Sequence, residues 1–218
     1  MSNTTDSFIE EVTEEVRRDR LFGYLRRYGW IGIAAVVILV GGAAITEWRR
    51  AGARAAAEAA GDALYAAAAA ETSAARAEAL AALEVAGPAA APELMFEAAA
   101  LAEAGETEAA AAKLAELAED PGHPRVWRDL ASLKRVVLLG PALPPAERLA
   151  VLEPLASPGA PYRVLAIEQQ ALARLEVGER DEAVALLQAL LDDQEASLGL
   201  RLRAVQLMVA LGDLPDGG

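Results

Sequence analysis

The hydropathy of the chain changes character once. From Tyr28 to Thr46 there are 19 consecutive residues without a charge, including the run IGIAAVVILVGGAAI. At about 1.5 Å of rise per residue, such a helix comes close to the hydrocarbon thickness of a bilayer. Trp30 and Trp48 stand at its ends, where amphipathic rings favour the headgroup region, and Arg26, Arg27, Arg49 and Arg50 flank it within snorkelling reach of phosphates. A cleaved secretory signal has a shorter apolar core with small residues close behind it, whereas here Trp48, Arg49 and Arg50 follow directly. The pattern predicts one uncleaved transmembrane helix over residues 28–48. Arg17, Arg18, Arg20, Arg26 and Arg27 precede it and Arg49, Arg50 and Arg54 follow it, a bias that predicts the N-terminus inside and the large domain outside.

Residues 1–27 form a short cytoplasmic segment in this scheme. Ser7 and Glu10 fit a capping box, and Phe8, Val12 and Val16 recur at four-residue spacing, so a short amphipathic helix is expected there. Glu10, Glu11, Glu14 and Glu15 make anionic lipid a poor partner for it, which favours a solvated lead-in carrying the topogenic arginines.

Beyond the span, residues 49–218, helix breakers set the pattern: Gly87 with Pro88, Gly105, Pro121 with Pro124, Gly140 with Pro141, Pro158 with Pro161, Gly178 and Gly212. The pieces between them predict a helix running on from the span to about Ala70, then helices over Ser73–Ala86, Pro92–Ala104, Glu106–Glu119, Arg125–Leu139, Pro145–Ala156, Tyr162–Val177, Glu179–Asp192 and Leu198–Leu211. Short loops between short helices imply antiparallel hairpins. An internal repeat supports this: Ala98, Gly105, Ala110, Leu114 and Leu117 match Ala171, Gly178, Ala183, Leu187 and Leu190 at a constant offset of 73 residues. Alanines on both helices of a hairpin let the backbones approach, the glycine closes the turn, and the leucines fill the seam to the next hairpin.

Composition agrees. Hydrophobic residues make up 54% of the 218-residue chain, with alanine by far the commonest of them, and aromatics only 5%, which favours helix and nearly excludes strands. The fold class is all-α. A net charge of −13 argues against a nucleic-acid surface, and the absence of cysteine excludes disulfides and thiolate metal sites.

The segments AGETEAAAAKLAELAEDP and VGERDEAVALLQALLDD resemble tetratricopeptide repeat hairpins, without the tryptophan and tyrosine of the full signature. The order of parts narrows the resemblance. A short polar N-terminus, the span RRYGWIGIAAVVILVGG, an alanine-rich helix, PRVWRDLASLKRVVLL and APYRVLAIEQQALARLEVGERDEAVALLQALLDD together resemble YfgM-like proteins over nearly the whole chain. That resemblance implies a periplasmic tetratricopeptide repeat-like solenoid tethered to the bacterial inner membrane, accessory to the SecYEG translocon. Its implied partners are translocon subunits, periplasmic chaperones and exported chains. A scaffold or assembly factor for another envelope or cell-division complex would use the same parts.

Candidate chemistry is sparse. His123, in the loop PGHP, is the only histidine, so neither a zinc site nor a nucleophile with its base can be assembled around it. Glu119 with Asp120 and Asp192 with Asp193 read as solvated helix ends, because nothing resembles a twelve-residue calcium loop. Gly41 and Gly42 lie inside the span, where they can serve a close helix contact, and no phosphate-binding glycine loop is present. No catalytic, cofactor-binding or metal residue is assigned, no cofactor or small-molecule substrate is expected, and an enzyme is disfavoured. The functional surface is expected on the concave face of the helix stack, with Arg128, Lys134, Arg135, Gln169 and Gln170 as candidates, and the last helix is expected to cap the stack with a polar face.

Removal of residues 1–48 is predicted to leave a soluble helical fragment that unfolds cooperatively, since the remainder carries 15 basic and 26 acidic residues. Circular dichroism during thermal unfolding checks this, and an aggregated or unfolded fragment would show that the domain needs its membrane partner to fold.

Overall fold

The computed structural model describes the backbone of residues 3–213 and the side chains of residues 30–213 apart from 32 and 33. Every regular element among them is helical: α1 (Asn3–Ala68), α2 (Ser73–Ala81), α3 (Ala90–Glu103), α4 (Thr107–Glu119), α5 (Arg125–Leu139), α6 (Pro145–Leu155), α7 (Arg163–Glu176), α8 (Arg180–Asp192) and α9 (Leu198–Leu211), with 3-10 turns at Gly87–Ala89 and Gly140–Ala142. The all-α class read from composition holds for these residues. The chain divides into two compact units, Met1–Glu58 and Ala59–Gly218.

In the first unit α1 runs unbroken from Asn3, so the stretch around Ser7 and Glu10 lies within a continuous helix rather than a short separate one. The side chains of Phe8, Val12 and Val16 lie outside the described residues, as do Arg17 to Arg27. Val36, Val37, Ile38, Leu39 and Val40 stand exposed in succession, apolar on every side of the helix. Among the described residues no helix is long and apolar enough to cross a membrane; the side chains of 28, 29, 32 and 33, which the expected span includes, lie outside them.

In the second unit consecutive helices pack on one another from α2 to α9. The offset seen in the sequence is a structural register. α3, α4 and α5 start at 90, 107 and 125, and α7, α8 and α9 start at 163, 180 and 198, each 73 residues later. All the alanines and leucines of the sequence match are buried: Ala98, Leu114 and Leu117 between α3, α4 and α5, with Ala110 wholly buried on α4, and Ala171, Ala183, Leu187 and Leu190 between α7, α8 and α9. Gly105 and Gly178 take φ of 84° and 82°, the left-handed region that side chains resist. The next amide then reaches back to close the helix: Glu106 N–H donates to Leu101 O at 2.9 Å and Glu179 N–H to Arg174 O at 3.0 Å, satisfying carbonyls the helix end would leave open.

The duplication extends to the preceding helix. On α2, Arg76 pairs with Glu103 at the end of α3; on α6, Arg148 pairs with Glu176 at the end of α7. Leu80 and Leu152 are likewise 72 residues apart and almost wholly buried. The unit is therefore two four-helix blocks, α2–α5 and α6–α9, preceded by the end of α1, whose Leu64 and Ala67 pack on Leu80.

Two boundaries differ from the sequence reading. α2 ends at Ala81, not Ala86; past its end Leu83 packs against the cluster of Leu64, Leu80 and Ala100, and Gly87 and Pro88 form a 3-10 turn. α3 begins at Ala90, with Pro92 in the first turn, where its missing N–H costs nothing. The α5–α6 connection also breaks the repeat. The position seven residues before the turn glycine, alanine at 98 and 171, is the buried Leu133 before Gly140, and the longer GPALPP connection gives its bulk room.

Two predictions follow from the seam. Leu117→Ala and Leu187→Ala should each cost about 2–5 kcal/mol, because both side chains are fully buried against helices on two sides. Gly178→Ala should cost about 1–2 kcal/mol through backbone strain alone, as a Cβ there meets open space. Denaturant titration measures all three, and an unchanged midpoint for Leu187→Ala would contradict the packing described.

Candidate partner-binding face

The first helices of successive hairpins are neighbours: α3 touches α5, and α5 touches α7. Where α3 faces α5, alanines at 98, 99 and 102 leave too little bulk to fill the space between the helices. The result is an open groove of about 200 Å³ lined by Met95, Ala99, Ala102, Lys134, Val137 and Leu138. A second groove of about 120 Å³, between the end of α1, α2 and α3, includes Ala68, Leu80, Phe96 and the same Ala99, so the two join along α3. Phe96 is 51% exposed and Val137 56% exposed, so the apolar wall is open rather than a covered seam, while the Arg76–Glu103 pair also lines the second groove. Tyr65, one turn before Ala68 on α1, is exposed at its edge.

The corresponding place in the second block is chemically different. Between α7 and α9 lies a groove of about 410 Å³ lined by Glu168, Gln169, Leu172, Arg203, Gln206 and Leu207. Glu168, at the position of Met95, is buried and takes two hydrogen bonds from Arg203, from Nε at 2.6 Å and from Nη2 at 2.9 Å. A bidentate guanidinium–carboxylate pair is fixed in geometry, so this groove holds a pre-set charged pair beside Leu172 and Leu207, where the first has Lys134 as its one charged residue.

The sequence candidates divide accordingly. Lys134 lines the apolar groove, with no ion-pair partner among the described residues, and Gln169 lines the polar one. Arg135 turns instead toward α6, 3.8 Å from Glu147. Arg128 is half-buried, its Nε without a hydrogen bond, and Gln170 is half-buried outside these grooves. Met95, Phe96 and Val137 were not singled out by the sequence, although Met95–Phe96 is a bulky pair in a stretch otherwise rich in alanine.

Charged groups near the seams are structural. Glu93 and Glu97, one turn apart on α3, are both buried, and Lys113 of α4 reaches Glu97 at 3.1 Å. Burial, then the neighbouring Glu97 charge, push the Glu93 carboxyl above its ordinary range. The hydrogen bond to Glu97 raises Lys113 in turn. Asp193 departs from the expected solvated helix end: Arg163 binds it at 2.6 Å, the Glu195 N–H donates to it at 2.8 Å, and together they hold its carboxyl below the usual range. Asp120, its counterpart in the first block, accepts from Gly122 N–H at 2.7 Å. His123 sits in the α4–α5 loop, its Nε2 3.6 Å from the Asp120 carboxylate. Among the described residues no group of three or more His, Cys, Asp or Glu side chains is placed to hold a metal ion.

No family model, no curated protein and no solved structure matches the chain.

The two shifted carboxyls act on stability with opposite signs. Glu93, raised in the folded state, disfavours folding once pH rises above its folded value, so Glu93→Gln should stabilise the protein at pH 7 and lose that advantage toward pH 4. Asp193, lowered in the folded state, contributes stability above its unfolded value that disappears as pH falls through the folded one, so Asp193→Asn should destabilise at pH 7 and not at low pH. Thermal midpoints of both variants across this range check the signs.

Proposed function

We propose that this chain is a membrane-anchored adaptor of the tetratricopeptide repeat-like kind, accessory to the Sec translocon and to periplasmic chaperones that handle exported proteins. The observation that carries the binding role is the joined groove on α3, in which Phe96, Ala99 and Val137 are exposed beside Lys134 and the half-buried Met95. A groove of this kind takes the apolar face of a helix or an extended apolar segment, the surface that newly exported chains expose. The lysine at its rim adds an attraction for a carboxylate.

The anchoring role is supported by the 19 charge-free residues from Tyr28 to Thr46 and by the apolar side chains of Val36 to Val40, which no described side chain buries. The order of parts shared with YfgM-like proteins supports the choice of the translocon as partner and of the periplasm as the compartment of the large domain.

A photo-crosslinking residue at Phe96 in the full chain, in its native membrane, tests the proposal. Mass spectrometry of the adducts should recover translocon subunits, a periplasmic chaperone or exported chains, with yield reduced several-fold by Val137→Glu. Reproducible capture of a different membrane complex, with none of these present, would make the chain a scaffold for that complex instead.

A further inference from the structure

α9 is the last helix among the described residues, and its outer side is not polar. Leu198 is 73%, Leu202 54% and Val209 52% exposed, with Val205 half-buried between them. Residues 198, 202, 205 and 209 follow a 4-3-4 spacing, which at 100° per residue places all of them within a sector of about 60°. The opposite side, Leu200, Ala204 and Met208, is buried on α7 and α8, so the stripe is a second apolar face and not the edge of the first.

The duplication shows what covers this face elsewhere. Val209 corresponds to Val136 on α5, which is buried by Leu152 and Leu155 of α6. Leu64, 72 residues before Val136, is buried against Leu80 of α2. At both earlier places, therefore, a following helix covers the position that on α9 is Val209, and among the described residues nothing covers Val209. The helix that would continue the series cannot be α2 of another copy, since the end of α1 already covers it.

Charge indicates the occupant. The chain carries −13 overall, and each of α1 to α8 contains at least one acidic residue, but α9 contains none. Its two arginines are engaged, Arg203 by Glu168 and Arg201 by the Asp193 carbonyl at 2.7 Å. The stripe is thus a neutral apolar face on an acidic molecule, where two copies can meet without like charges between them. We propose that α9 is a self-association surface: two copies dock α9 against α9 across a two-fold axis passing near Leu202 and Val205. One helix pair buries less than the roughly 1,200–2,000 Å² of a standard stable interface, so this dimer is weak and in exchange.

The chain has no cysteine, so a single introduced thiol reports on its own surroundings. Leu202→Cys in the full-length chain, oxidised in membranes, should form a disulfide dimer at least ten-fold faster than Glu153→Cys on the exposed side of α6. The variant Leu202→Glu/Val209→Glu changes only exposed positions and should abolish concentration-dependent dimerisation in detergent while leaving the helical circular dichroism unchanged. Equal cross-linking rates at 202 and 153 would overturn the proposal, as would a dimer that survives the double substitution or a chain that stays monomeric at all concentrations. In the last case the stripe would be left as a seat for a helix of another protein.

Discussion

Everything in the second unit depends on how closely two helices can approach when alanine meets alanine across a hairpin. Ala98 on α3 and Ala110 on α4 are both buried, and Ala171 on α7 and Ala183 on α8 share one core cluster; each is 3% exposed or less. With side chains this small the backbones come near enough for Leu114, Leu117, Leu187 and Leu190 to reach across into the following helix. A fully buried leucine contributes about 1.5–3 kcal/mol, and here each one ties a hairpin to its successor. The turn glycines matter because only a left-handed residue brings the second helix back soon enough to keep this register.

Ion pairs stitch the same architecture at its edges. Arg76 with Glu103 and Arg148 with Glu176 join the first helix of each block to the end of the next, and Arg163 with Asp193 and Glu195 ties α7 to the α8–α9 loop. The exposed members of this set add little to stability. The buried ones have more effect on specificity, since Glu168 without Arg203, or Glu97 without Lys113, would leave a charge in an apolar seam.

The two blocks share a backbone plan but not a surface. At the position where α3 carries Met95, α7 carries Glu168, and at the position of Phe96 it carries Gln169. One groove therefore has Met95 beside Lys134, and the other has a fixed Glu168–Arg203 pair beside Leu172 and Leu207. The same divergence marks the end of the stack, where Leu202 and Val209 on α9 replace Asp129 and Val136 on α5, and the face that α6 covers in the first block stays open in the second.

The sequence by itself determined the helical class, the boundaries of most helices to within a residue or two, and the repeat that relates the blocks. These features rest on local chemistry: alanine content, glycine and proline at helix ends, and a spacing of small and large residues that survives along the chain. It did not reveal that α2 stops at Ala81, because the cluster that Leu83 packs against is assembled from α1, α2 and α3. Nor did it separate Lys134, which lines a groove, from Arg135 beside it, which turns to Glu147, since neighbouring residues on a helix point about 100° apart and only the packed neighbours decide which way is open. The apolar outer stripe of α9 reads in one dimension as an ordinary leucine-rich helix. Which of its two apolar faces is buried is a property of the stack, not of the helix.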